Sequence, residues 1–182
     1  MGVWKTILRT PNRRIVALAV LVLALDQMTK ACVLHYFELG DRHVILNGFF
    51  AFVYWANTGA AWSLFSGNNF ILATVAIGAL LALALARHHF DAHTVLGQFA
   101  LGFIFGGIVG NLIDRLHVGH VIDFLYFYLD RRGGGGELGF PAFNVADSAI
   151  CTGVGLVFLL TLRSGNSTSG VDSAKPEAKR PA

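Results

Sequence analysis

Asp123 and Asp147 are carboxyl groups set among apolar residues, in Val121-Ile122-Asp123-Phe124 and Phe143-Asn144-Val145-Ala146-Asp147. Two carboxyls held close together cannot both ionise easily, so one keeps its proton and the other serves as a base. Such a pair activates water by itself, so no metal or other cofactor is expected. Asp147 has a second reading, because it begins a helix, where a carboxylate is welcome as a cap. Asp26 and Lys30 lie four apart on one helix face and can neutralise each other. Asn111 and Asp114 lie three apart and share a face of another helix. A carboxylate at a helix C-terminus is disfavoured by the helix dipole, so Asp114 requires a partner. Its sequence neighbour Arg115 is expected to supply one, in a structural ion pair.

The elements that must carry these residues are membrane spans. The chain has 182 residues, 54% hydrophobic and 14% charged, with a mean hydropathy of +0.59. Soluble domains carry about 25% charged residues, so lipid is the natural solvent for this much apolar surface. A net charge of +3 gives no reason to expect nucleic acid as a partner. Crossing the hydrocarbon core takes about 20 helical residues. Four stretches approach that length: 15–34, 70–86, 95–113 and 145–162. The first could pass for a secretory signal peptide, but Asp26 and Lys30 follow its apolar run where a small-residue cleavage site would stand. It is read as a retained span. Gly102, Gly106 and Gly110 recur at four-residue spacing on the third span, which lets a neighbouring helix approach closely. Cys32 and Cys151 lie in apolar stretches and read as core or lipid-facing residues.

Orientation follows from the positive-inside rule. Lys5, Arg9, Arg13 and Arg14 precede the first span, Arg87 lies between the second and third, and Arg163, Lys175, Lys179 and Arg180 follow the fourth. Both termini are therefore expected in the cytoplasm, with the long loops 36–69 and 114–144 outside. Asp26, Lys30, Asn57, Asn111, Asp114, Asp123 and Asp147 then converge on the outer face. Ionisable groups at membrane depth cost a few kcal/mol on insertion scales, so each needs a reason to be there. Alternating residues around His43–Leu46 and Phe49–Tyr54 suggest short strands lying on the membrane surface. The expected fold is an all-α polytopic membrane protein with a small β-rich outer-surface cradle. Residues 1–163 would form the four-span domain and 164–182 a disordered cytoplasmic tail. The stretch Arg131–Glu137, with four consecutive glycines, reads as a flexible excursion.

Two other chemistries compete. His117 and His120 have conceivable metal-ligand spacing, but no His-Glu-x-x-His helix occurs, and His88, His89 and His93 fall on the cytoplasmic side. A small proton-coupled transporter or scaffold would use Asp26 as a relay. Transport also calls for polar groups at the midplane and on both faces, and no internal repeat is visible.

Five motifs in order give the chain a family likeness: Asp26-Gln27-Met28-Thr29-Lys30, Asn57-Thr58-Gly59-Ala60-Ala61-Trp62-Ser63, Gly106-Gly107-Ile108-Val109-Gly110-Asn111-Leu112-Ile113-Asp114-Arg115, Val121-Ile122-Asp123-Phe124 and Phe143-Asn144-Val145-Ala146-Asp147. In these, across about Leu25 to Leu162, the chain resembles the lipoprotein signal peptidase (signal peptidase II) family. The resemblance implies an aspartic endopeptidase of the bacterial inner membrane. It would remove the signal peptide from lipid-modified prolipoproteins, cutting just before a diacylglyceryl-modified cysteine. It implies that Asp123 and Asp147 are catalytic. Asp26, Lys30, Asn57, Gly59, Gly107, Gly110, Asn111, Asp114, Arg115, Asn144 and Ala146 would bind substrate or support the pair. The substrate's lipid would stay in the bilayer while Phe49–Ser63 forms a cradle over the peptide. Two departures stand out: Trp62 takes a position where Phe is expected, and the glycine-rich insert lengthens the stretch between the two aspartates.

Overall fold

A computed structural model of the protein describes residues 10–59, 67–90, 92–131 and 136–168. Helix α1 (Pro11–Tyr36) begins with Pro at its first turn, where the missing N–H costs nothing. Strands β1 (Arg42–Leu46) and β2 (Phe50–Asn57) follow, then α2 (Asn69–Ala86) with a short 3-10 turn, Arg87–His89. Helix α3 (Val95–His117) is capped by the Thr94 side chain, which accepts from the Gly97 N–H at 3.0 Å. Strands β3 (Val121–Asp130) and β4 (Glu137–Gly139) lead to α4 (Val145–Thr168).

Among the described residues four helical stretches are long and apolar enough to cross a membrane: Pro11–Tyr36, Asn69–His89, Val95–His117 and Val145–Arg163. The molecule is mostly helical rather than all-α, because the four strands form an antiparallel sheet in the order β1-β2-β3-β4. Val121-Ile122-Asp123-Phe124, expected in a loop, opens the ten-residue strand β3. A short apolar run there was too ambiguous to assign before its partner β2 was known. Helix α4 continues to Thr168, so the stretch expected to be a disordered tail begins as helix; residues 169–182 lie outside the described residues. So do Ala60–Ser63, Trp62 among them, and the glycines 133–135 of the insert.

Helix α3 is the packing centre. Lipid offers no hydrophobic drive to press helices together, so close backbone contact must hold them. A Cβ at Gly102 would meet Leu18 of α1 at 2.8 Å, and one at Gly106 would meet the Ala19 carbonyl at 2.7 Å. On the other side, a Cβ at Gly107 would stand 2.5 Å from the Ala146 carbonyl of α4. The glycines thus let α1 and α4 flank α3 tightly. Helix α2 is looser, with only Leu72 and Ala73 buried. Cys32 and Cys151 are both free and exposed, on faces that lipid would cover.

The exit from α3 positions the site. The Val118 and Gly119 N–H groups both bond the Asp114 carbonyl, at 2.8 and 3.1 Å, and Gly119 takes φ +85°. That left-handed C-terminal turn, which glycine adopts without strain, swings the chain straight into β3.

Candidate active site

Phe143 exchanges both main-chain hydrogen bonds with Leu125 of β3, at 2.9 and 3.1 Å, which sets the start of α4 beside Asp123. Asn144 then caps α4. Its Oδ1 accepts from the Asp147 N–H at 2.9 Å, and Asp147 Oδ2 accepts from the Asn144 N–H at 3.2 Å. This is a reciprocal capping box, and it fixes the Asp147 carboxylate at a helix N-terminus that favours negative charge. The cap and the chemistry are therefore one arrangement. Asn144 Nδ2 donates to Asp123 Oδ1 at 2.9 Å, so a single fully buried asparagine bonds both carboxyls.

Each carboxyl has a second amide donor. Asn111 Nδ2 donates to Asp147 Oδ1 at 2.7 Å, and Asn57 Nδ2 donates to Asp123 Oδ2 at 2.9 Å. Asn57 reaches across because β2 pairs with β3 around Trp55 and Asp123. Asn57 is itself held by the Gly59 N–H at 3.0 Å, and Gly59 by Arg115, whose Nη2 donates to the Gly59 carbonyl at 3.1 Å. Burial above all, and then the charge of Asp147, push the Asp123 carboxyl up to about 7, against the hydrogen bonds from Asn57 and Asn144.

Beneath the pair lies a buried ionic cluster. Lys30 Nζ sits 2.8 Å from Asp26 Oδ2 and 2.7 Å from Asp114 Oδ2, and donates to Asn111 Oδ1 at 3.0 Å. The expected Asp26–Lys30 pair is present. The expected Asp114–Arg115 pair is not: Asp114 turns inward to Lys30, while Arg115 uses its guanidinium on the Asn111 and Gly59 carbonyls. Neighbours in sequence on a helix point about 100° apart, so one inward carboxylate and one sideways guanidinium cannot meet there. Asp114 also accepts from the Ile122 N–H at 3.2 Å, fixing β3 one residue before Asp123. Asp26 Oδ1 accepts from the Ala146 N–H at 2.9 Å, which ties α1 to the first turn of α4. A Cβ at Gly110 would approach Asp26 Oδ2 to 2.5 Å and that of Ala146 to 3.4 Å, so both positions need small residues.

Every site residue expected from the sequence thus belongs to one connected cluster: the two aspartates, their amide donors Asn57, Asn111 and Asn144, the Asp26-Lys30-Asp114 base, Arg115 with Gly59, and the small residues Gly107, Gly110 and Ala146. Gln27 was missed. Its Nε2 reaches Asp114 Oδ1 at 3.1 Å and the Gly110 carbonyl at 3.3 Å. An amide at membrane depth beside Asp26 was the available signal. Among the histidines raised as metal ligands, His120 Nε2 lies 3.4 Å from the Tyr54 hydroxyl. Among the described residues no group of three or more His, Cys, Asp or Glu is placed to hold a metal ion.

Residues 18–163 match the family described as Signal peptidase (SPase) II. The chain is 42% identical over 168 residues to the lipoprotein signal peptidase of Azoarcus sp. (strain BH72), covering 88% of this chain and 85% of that protein. It is 41% identical over 153 residues to that of Nostoc punctiforme, covering 84% and 90% respectively. A solved structure described as a bacterial membrane enzyme, by the in meso method at 2.3 Å resolution, superposes with a TM-score of 0.71 at 30% identity, covering 91% of this chain and 94% of that one. By these likenesses the chain belongs to the signal peptidase II family, and with its four apolar helices it is a multi-pass membrane peptidase.

Proposed function

We propose that the protein is an aspartic endopeptidase that removes the signal peptide from diacylglyceryl-modified prolipoproteins, cutting just before the lipidated cysteine, with Asp123 and Asp147 as its catalytic pair. The observation that carries this reading is Asn144, which bonds both carboxyls at once, through its Nδ2 to Asp123 and its main-chain N–H to Asp147. Asp147, at a helix N-terminus, suits the ionised role and takes a proton from the attacking water. Asp123, buried and raised toward neutrality, holds the shared proton and donates a hydrogen bond to the scissile carbonyl. Lys30, with Asn111, keeps the base of the site rigid. A transporter reading has less support, because the polar groups gather at one end of the helices. Cleavage of a lipidated precursor by the purified protein in detergent, with no ion gradient and after EDTA treatment, tests the proposal. No cleavage, or cleavage restored only by added zinc, refutes it.

The pH dependence follows from Asp123. Below about pH 7 its proton is present; as pH rises through that value the pair becomes doubly ionised and loses its hydrogen-bond donor. Cleavage is therefore expected to fall on the alkaline side, by about tenfold per pH unit well above the midpoint. Stability moves the same way. The folded carboxyl holds its proton at pH values where the unfolded one, with an ordinary pKa of 3.8, has lost it, so folding is disfavoured as pH rises from there to about 7. A rate of cleavage that is flat from pH 6 to pH 9 would remove Asp123 from the proton-holding role.

The active site is placed at the outer face of the bacterial inner membrane, with both termini cytoplasmic, where the lipid of the substrate can stay in the bilayer. Single cysteines at Gly134 and Asp91, in a background without Cys32 and Cys151, should label oppositely with an impermeant reagent in intact cells. Labelling at Asp91 alone, or at both, reverses or abolishes this orientation.

A further inference from the structure

Four hydrogen bonds run in series from the start of α2 to the catalytic pair. Asn69 Nδ2 donates to the Arg115 carbonyl at 2.6 Å, and Arg115 Nη2 donates to the Gly59 carbonyl at 3.1 Å. The Gly59 N–H donates to Asn57 Oδ1 at 3.0 Å, and Asn57 Nδ2 donates to Asp123 Oδ2 at 2.9 Å. Asn69 belongs to none of the five motifs. We propose that Asn69 is a positioning residue for the cleavage reaction: by holding the last turn of α3 through the Arg115 carbonyl, it sets where Arg115, Gly59 and Asn57 stand and hence how Asp123 is aimed.

Three features separate this role from ordinary helix packing. Helix α2 buries only Leu72 and Ala73, so packing does little to fix its entry point against α3, and a directional bond at Asn69 has much to do. Asn69 is also a poor residue for stability alone. Among the described residues its Oδ1 is buried without a hydrogen-bond partner, as is Arg115 Nε, and a buried polar atom left unpaired weakens the fold. An apolar side chain would avoid that penalty on the Asn69 side; it would lose the bond to Arg115. Nor is Asn69 the cap of α2: that position belongs to Asn68, which makes no side-chain cap bond. The amide therefore serves the geometry of α3's end.

The inference rests on the dyad reading of the preceding subsection, and the test keeps the two apart. Asn69→Ala and Asn69→Asp are assayed in the full-length protein with a lipidated precursor. Ionised Asp is nearly isosteric with Asn but has no hydrogen to give the Arg115 carbonyl and repels it, while the N-terminus of α2 favours its charge and offsets part of that cost. Both variants are expected to lose about fivefold to tenfold in kcat, with KM nearly unchanged and any fall in Tm too small to unfold the protein at the assay temperature. In an Asn57→Ala background the Asn69→Ala change is expected to add almost nothing, because residues acting in series are not additive. Wild-type kcat in both Asn69 variants overturns the proposal, and so does a loss that simply multiplies with that of Asn57→Ala or tracks a lowered Tm. An inactive Asp123→Asn control alongside those results confines the failure to Asn69. Retained activity in Asp123→Asn overturns the dyad and this inference with it.

Discussion

Asp123→Asn and Asp147→Asn will each abolish cleavage of a lipidated precursor, while the protein still inserts, purifies and binds substrate. Asn is nearly isosteric with Asp, but it can neither take a proton from water nor supply an acidic one. It can also keep part of the local bonding, since its amide oxygen can accept from Asn144 at position 123 or from Asn111 at position 147, as the carboxylate oxygen does. General acid-base help is worth about 10² to 10⁴-fold, and residues that act as a unit are far from additive. The double variant should accordingly be scarcely worse than either single one. The measurement is single-turnover cleavage, set beside substrate binding to the same preparations. Substantial turnover by either variant removes that residue from the pair. If Asp114→Asn were instead the dead variant, the division drawn here between catalytic and supporting aspartates would be wrong.

Lys30→Met should produce the largest loss of stability available from one substitution in this chain. Lys30 is almost fully buried between two buried carboxylates, Asp26 and Asp114. Met keeps the length of the stem but removes the one cation that, among the described residues, bonds either acid, and breaking a buried ion pair in this way costs about 3–5 kcal/mol. The damage spreads, because Asp26 ties α1 to the Ala146 N–H and Asp114 anchors the Ile122 N–H of β3. Yield in the membrane and the thermal unfolding midpoint in detergent should both collapse. Adding Asp26→Asn and Asp114→Asn to Lys30→Met should recover part of each, since the uncompensated charges are then gone. Asp26→Asn alone leaves Lys30 paired with Asp114 and should be milder, with reduced yield and some residual turnover. A Lys30→Met protein that unfolds within a degree or two of the wild type would show that the cluster does not hold the fold together.

What could be read without coordinates was whatever depends on chain-local chemistry. Hydropathy over about 20 residues locates a span whatever surrounds it, and the structure has its four apolar helices where the composition put them, with ends a few residues longer. Asp26 and Lys30 were paired correctly because one helix turn brings them together. The same local logic failed for Asp114, whose partner lies on another helix 84 positions earlier in the chain. It also failed for β3, since an apolar run becomes a strand only when another strand offers hydrogen bonds, and β2 lies in a distant loop.

The chain's own residue types determined that acids, amides and glycines would meet near one end of a helical bundle. Only the tertiary structure decided which amide serves which acid. Asn144 is one of three asparagines near the pair, and nothing in its sequence context announces that it bonds both aspartates. That role follows from three separate packing events: the glycine contacts that press α3 against α1 and α4, the left-handed turn at Gly119, and the Phe143–Leu125 bonds that lay the start of α4 along β3. Hydrogen bonds act over about 3 Å, whereas the sequence specifies only spacing along each element, so the geometry of the site exists only once the elements have docked.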